Sequence, residues 1–129
     1  MCTEREQDLH AMSGAIVTDR MQAIIDASRR SNEQDANTLR RVCEKYGLPY
    51  WTLENVRKGR ARTIPLDLLD RLGHVWLSVR EEQLRKWEME LATERAKGFV
   101  DDDLLDMERQ AADFRSRLEA RRARLGRRR

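Results

Sequence analysis

Two long segments of this chain carry apolar residues mostly three or four positions apart, a spacing that places them on one face of a helix. The first segment begins at Pro65 and predicts a helix of roughly 30 residues. A corner containing Gly98 separates it from the second, so we expect an antiparallel helical hairpin with a coiled-coil-like seam. The apolar positions are Leu66, Leu69, Leu72, Trp76, Leu77, Leu84, Trp87 and Leu91, then Leu104, Met107, Ala111, Phe114, Leu118 and Leu125.

Composition supports an all-α fold. The 129 residues include only two prolines and six glycines, and 38% are charged while 5% are aromatic. Almost no run shows the β-branched alternation of a strand. A chain of this size buries one modest core but not the scaffold of a large α/β enzyme. Because the sequence also offers no glycine-rich phosphate loop and no plausible nucleophile–base pair, we expect neither an enzyme nor a small-molecule substrate.

Residues 36–59 predict two short helices joined by a tight turn. Gly47 suits a left-handed C-cap, and Pro49 suits the start of the next helix. Cys43 is a small residue at the point where the two helices would cross, four positions before Gly47. The apolar anchors before, within and after the turn are Val42, Tyr46, Leu48, Leu53 and Val56. Together these residues predict a helix-turn-helix.

On these residues, the segment 36–62 resembles the helix-turn-helix of phage repressors and Cro-like regulators, with Gly47 in the turn and Cys43 at the usual alanine site. The whole chain is similar to phage- or prophage-encoded bacterial proteins that carry such a motif before a helical C-terminus. The resemblance implies a sequence-specific regulator of transcription that binds double-stranded DNA.

The resemblance also implies which side chains read bases. In that family they lie on the outward face of the second motif helix, and here those positions are Tyr50, Trp51, Glu54, Asn55 and Lys58. Asn55 suits a bidentate contact with adenine, Glu54 a contact with cytosine, and Lys58 a contact with guanine or phosphate. Packing of Trp51 against another part of the chain is an equal alternative.

Positive charge is concentrated in two places. Residues 39–63 hold seven basic and two acidic side chains, a net charge of +5, and from Arg115 onward eight arginines face Glu119 alone. Concentrated charge favours a polyanionic partner, although solvated helix faces explain the tail equally well. Residues expected to contact phosphates are Arg57, Arg60 and Arg62, with Arg40 and Arg41 contacting the DNA backbone from the first motif helix.

These patterns divide the chain into four segments. We expect a flexible arm at 1–17, the helix-turn-helix domain at 18–64, the hairpin at 65–120, and a basic tail at 121–129 that is mobile at its end.

No ligand set for a metal is formed by the cysteines and histidines, which are Cys2, Cys43, His10 and His74. We therefore expect no metal and no cofactor, and we expect Cys43 to be buried. With no signal peptide or membrane-length apolar run in the sequence, we expect a cytoplasmic protein.

The hairpin is expected to serve oligomerisation, and the sequence leaves open whether its seam closes within one chain or between chains. A homodimer is favoured because a two-fold dimer reads two half-sites. The alternative function is a phage DNA-packaging or structural adaptor, since small terminase subunits also join a helix-turn-helix to a helical oligomerisation region. A third is a protein-interaction module that has lost DNA binding. The oligomerisation residues are Trp76, Leu84, Trp87, Leu91, Leu104, Met107, Phe114 and Leu118.

Overall fold

The computed structural model describes residues 17–61 and 64–127, and within these ranges the chain forms five helices and no strand. Three helices are short: α1 covers residues 17–28, α2 is Asp35–Tyr46, and α3 is Tyr50–Arg57. Two long helices follow, α4 at Leu66–Ala96 and α5 at Asp102–Arg127. The all-α class and the hairpin predicted from the apolar spacing are confirmed. No helix in the described ranges combines the length and apolar composition that crossing a bilayer requires.

The chain divides into two compact units, the first ending at Trp76 and the second beginning at Leu77. The division falls inside α4, whereas the sequence suggested one between residues 64 and 65. The first turns of α4 belong to the first unit, where Leu68, Leu72 and Val75 are buried. Of the predicted apolar positions, Leu66 is 83% exposed and Leu69 is half-buried, so the predicted stripe is wrong at the start of α4. The buried apolar residues of this unit are Val17, Met21, Ile24, Ile25, Leu39, Val42, Cys43, Leu48, Leu53, Val56, Leu68, Leu72 and Val75. Of the predicted arm, residues 1–16 lie outside the described residues, and residue 17 belongs to α1.

The turn between α2 and α3 has the predicted geometry. Gly47 is left-handed, with φ 67° and ψ 38°, and its amide donates to the carbonyl oxygen of Cys43. The amide of Leu48 donates to the same oxygen at 2.9 Å. Cys43 is buried, and burial raises the pKa of its thiol to about 11. The predictions of a left-handed cap at Gly47 and a small buried residue at Cys43 are therefore confirmed.

The corner between α1 and α2 is organised by the carboxylate of Glu33. This carboxylate accepts hydrogen bonds from the guanidinium of Arg41 at 2.8 Å, the hydroxyl of Thr38 at 2.7 Å and the amide of Arg30 at 3.1 Å. The same guanidinium donates to the carbonyl oxygen of Ser28, near the end of α1. These donors, with Arg41 the strongest, lower the pKa of Glu33 to about 2.

Three arginine–glutamate pairs at intervals of seven residues align α4 with α5. The pairs are Glu81 with Arg122, Glu88 with Arg115 and Glu108 with Arg95, and the Nε–carboxylate distances are 2.6, 2.9 and 3.0 Å respectively. Pairs on a surface contribute little to stability, but their repetition at the heptad interval specifies one antiparallel register. α5 continues through Arg127 and so runs into the predicted tail. Residues 128 and 129 lie outside the described residues.

The apolar seam of the hairpin closes within one chain. Its buried residues recur every seven positions and are Leu77, Leu84 and Leu91 in α4 and Leu104, Ala111 and Leu118 in α5. The other line of the predicted stripe is less covered, since Trp87 and Phe114 are half-buried and Met107 is 37% exposed. Of the predicted oligomerisation residues, Leu84, Leu91, Leu104 and Leu118 are thus buried inside the chain. Trp76 belongs to the first unit, where the guanidinium of Arg20 lies 5.8 Å from its ring centroid.

We expect Glu33→Gln to destabilise the protein at neutral pH and to have less effect in acid. The pKa of Glu33 is lowered from 4.5 to about 2, so its charge stabilises the fold fully above about pH 4.5, and this contribution is lost as the pH falls through about 2. Thermal melts of the wild type and the variant should differ most at pH 7 and converge towards pH 2. Glu44→Gln, at an exposed position in α2, is the control. A difference that does not change with pH would contradict this role of Glu33.

Candidate nucleic-acid interface

Four residues form the outward face of α3. Each of them lies one, three or four positions from another along the helix. Trp51 and Thr52 are exposed in its first turn, Asn55 is half-buried, and Lys58 at the C-cap is exposed. Residues three or four apart on a helix are neighbours, so these side chains form one continuous surface. Leu53 and Val56 point inward and are buried, as predicted.

The prediction that Glu54 lies on this outward face is wrong. Its side chain is buried, with 3% of the residue exposed, and its carboxylate receives two hydrogen bonds from Arg57, at 2.7 and 3.1 Å. The ammonium of Lys58 lies 3.4 Å away. The side chains of Arg57 and Lys58, one turn further along α3, therefore cover the carboxylate. Their positive charges compensate for its loss of hydration. Arg57, more than Lys58, lowers the pKa of Glu54.

Two of the predicted phosphate-binding arginines are held by carboxylates of the chain itself. Arg57 is only 22% exposed at its side chain because it pairs with Glu54. Arg41 is 29% exposed at its side chain and pairs with Glu33 in the corner between α1 and α2. These contacts correct the expectation that the two guanidinium groups face a DNA backbone. The physical reason is that each group pairs with a carboxylate of the same chain, which a count of charges in the sequence does not detect.

Arg40 and Arg60 remain exposed. The guanidinium carbon of Arg40 lies 4.9 Å from the ring centroid of Tyr50, so a cation–π contact positions it beside the start of α3. The amide of Arg60 donates to the carbonyl oxygen of Asn55 at 2.8 Å, which folds the chain back against the end of α3. Arg62 lies outside the described residues.

Thr52 was missed as a candidate by the sequence analysis. It is exposed on the same face as Asn55, three positions away, and its hydroxyl is able both to donate and to accept hydrogen bonds. The helical period does not identify this residue, because at about 100° per residue position 52 lies closer than position 54 to the inward side defined by Leu53 and Val56. The exposure of Thr52, like the burial of Glu54, follows from how α3 packs in the fold.

The described residues contain no group of three or more His, Cys, Asp or Glu side chains arranged to hold a metal ion. Asp101 caps α5, because its carboxylate accepts a hydrogen bond from the amide of Leu104 at 2.8 Å.

Comparisons with protein-family models, with curated proteins and with solved structures found no match for this chain.

We expect Glu54→Gln to increase the affinity of the protein for polyanions by more than its change in net charge explains. The substitution removes the carboxylate that holds Arg57 and Lys58, so both cations turn towards solvent. Glu44→Gln changes the net charge equally at an exposed position in α2 and is the matched control. On a heparin column Glu54→Gln should elute at a higher salt concentration than Glu44→Gln. Equal elution of the two variants would show that Glu54 does not restrain these cations.

Proposed function

We propose that this protein binds double-stranded DNA through the outward face of α3 and regulates transcription. The observation that carries the proposal is the α2–turn–α3 unit. Its left-handed Gly47 and buried Cys43 set the turn, and its second helix presents Trp51, Thr52, Asn55 and Lys58. A helix with a polar face of this kind fits the major groove, where each base pair offers a distinct pattern of donors, acceptors and methyl groups.

The chemistry of the face suggests a role for each polar side chain. The amide of Asn55 suits adenine, which offers a donor and an acceptor side by side, and the hydroxyl of Thr52 suits a donor or an acceptor on any base. Lys58 is 48% exposed at its side chain, and its ammonium suits a contact with guanine or a phosphate. Arg40 and Arg60 suit phosphates at either end of α3, where contacts set position but not sequence.

The proposal predicts different effects for two substitutions at this face. Asn55→Ala should weaken binding to a preferred duplex by about 1–3 kcal/mol and relax the preference at one or two base pairs. Arg60→Ala should weaken binding to all duplexes about equally and reduce the slope of log K against log salt by about 0.9. Selection from random duplexes followed by salt titration measures both effects.

Arg85→Ala is the charge-matched control, because Arg85 is an exposed residue of α4 in the second unit. It should leave both the consensus and the salt slope unchanged. Binding that does not depend on salt would contradict DNA as the partner. An Asn55→Ala variant that selects the wild-type consensus would show that α3 does not read bases.

We also propose that two copies of the chain associate through the second unit. The three arginine–glutamate pairs occupy one edge of the hairpin, and an apolar groove of about 700 Å³ lies along α4 with Met107 of α5. Met89, 70% exposed, and half-buried Trp87 line this groove together with Lys86, Glu90, Leu91, Thr93 and Glu94. The hairpin of a second chain would cover these side chains. It would also bury Trp87 and Met107, the heptad positions that a single hairpin leaves partly exposed. A two-fold dimer would then present two copies of α3 to two half-sites.

Placing a charge in this groove should therefore lower the oligomeric state. We expect Met89→Glu to shift the mass measured by analytical ultracentrifugation towards the monomer. Leu105→Glu introduces the same charge at a residue that is 38% exposed but does not line the groove, and it should leave the mass unchanged. A monomeric wild type, or equal effects of the two variants, would contradict the proposal. A large ring would instead favour the DNA-packaging adaptor.

A further inference from the structure

Trp51 is a large apolar side chain placed among polar ones on the face of α3. It is 70% exposed, so the alternative that it packs against another part of the described chain does not hold. A single exposed aromatic residue is common on protein surfaces and identifies nothing by itself. Its setting is more informative, because Thr52, Asn55 and Lys58 on the same face are all suited to hydrogen bonding.

A short series of contacts positions the indole. Its ring lies edge-to-face against Tyr50, with centroids 5.1 Å apart and an interplanar angle of 73°. The guanidinium carbon of Arg40 lies 4.9 Å from the centroid of the Tyr50 ring. Tyr50 is thus supported by α2 on one side and contacts Trp51 on the other. The exposed indole therefore has a defined place on the surface, although most of it remains uncovered.

Among the groups that bases present in the major groove, the apolar one is the C5-methyl of thymine. We infer that Trp51 is a specificity-determining residue that contacts the C5-methyl group of a thymine. This inference rests on the proposed binding of duplex DNA by α3. Asn55 lies four positions after Trp51, so their Cβ atoms are about 5–6 Å apart. The thymine should therefore lie within about two base pairs of the adenine contacted by Asn55, since B-DNA rises about 3.4 Å per base pair.

The test removes the methyl group and nothing else. In the preferred duplex selected by the wild type, each thymine is replaced in turn by deoxyuridine, which pairs identically but lacks the C5-methyl. At one position the wild type should bind about three- to fivefold more weakly, the value expected for one buried methyl group. Trp51→Ala should bind the thymine and deoxyuridine duplexes equally. Trp51→Phe should keep part of the discrimination.

The outcomes separate this inference from the proposed function. Sequence-specific binding by a wild type that ignores every deoxyuridine would overturn the role of Trp51 while leaving DNA binding intact. A penalty that persists unchanged in Trp51→Ala would assign the methyl contact to another residue. Tighter binding of single-stranded DNA than of duplex, lost in Trp51→Ala, would show base stacking instead. Failure of the wild type to bind any duplex would overturn both. Circular dichroism of each variant confirms folding, which is expected because Trp51 is exposed.

Discussion

Helix α3 has only eight residues, and an isolated helix of that length does not persist in water. It exists here because Gly47 turns the chain back onto α2 and because Leu53 and Val56 are buried beneath it. The position of every side chain on its outward face follows from these contacts. The candidate interface is therefore only as stable as the turn and the apolar core that support it, and it depends little on the intrinsic helix propensity of α3.

Those supporting contacts were predictable from sequence because they follow local rules. A left-handed position suits glycine, and a close helix crossing needs a small residue, so Gly47 and Cys43 predict the turn from the sequence alone. The seven-residue recurrence of apolar positions identified the hairpin. Each of these sequence patterns lies within one helical turn or follows a regular repeat. Backbone geometry alone therefore determines the structure that each pattern predicts.

The wrong assignments at the candidate interface and in the tail concern charged side chains, whose partners are set by three-dimensional packing. The family resemblance places Glu54 on the outward face, yet pairing with Arg57 allows it to be buried. Arg41 was counted as available to DNA, although Glu33 engages it. Arg122 was placed in a separate tail, but its pair with Glu81, 41 residues away in sequence, makes it part of the hairpin. Charge counting treats every ion as solvated, and long side chains on helices often find partners within the fold.

This internal pairing changes how affinity for DNA would arise. Of the basic residues expected at the interface, Arg40, Lys58 and Arg60 are the ones that the described part of the chain leaves exposed. Each phosphate contact adds only about 0.9 to the salt dependence, so few exposed cations imply a modest electrostatic component and weak binding to arbitrary sequences. In the proposed complex, base contacts on α3 would then have to supply a larger share of the binding free energy. A single short helix reaches only a few base pairs, so high affinity would require two linked copies, and this requirement is the physical reason for proposing self-association through the hairpin.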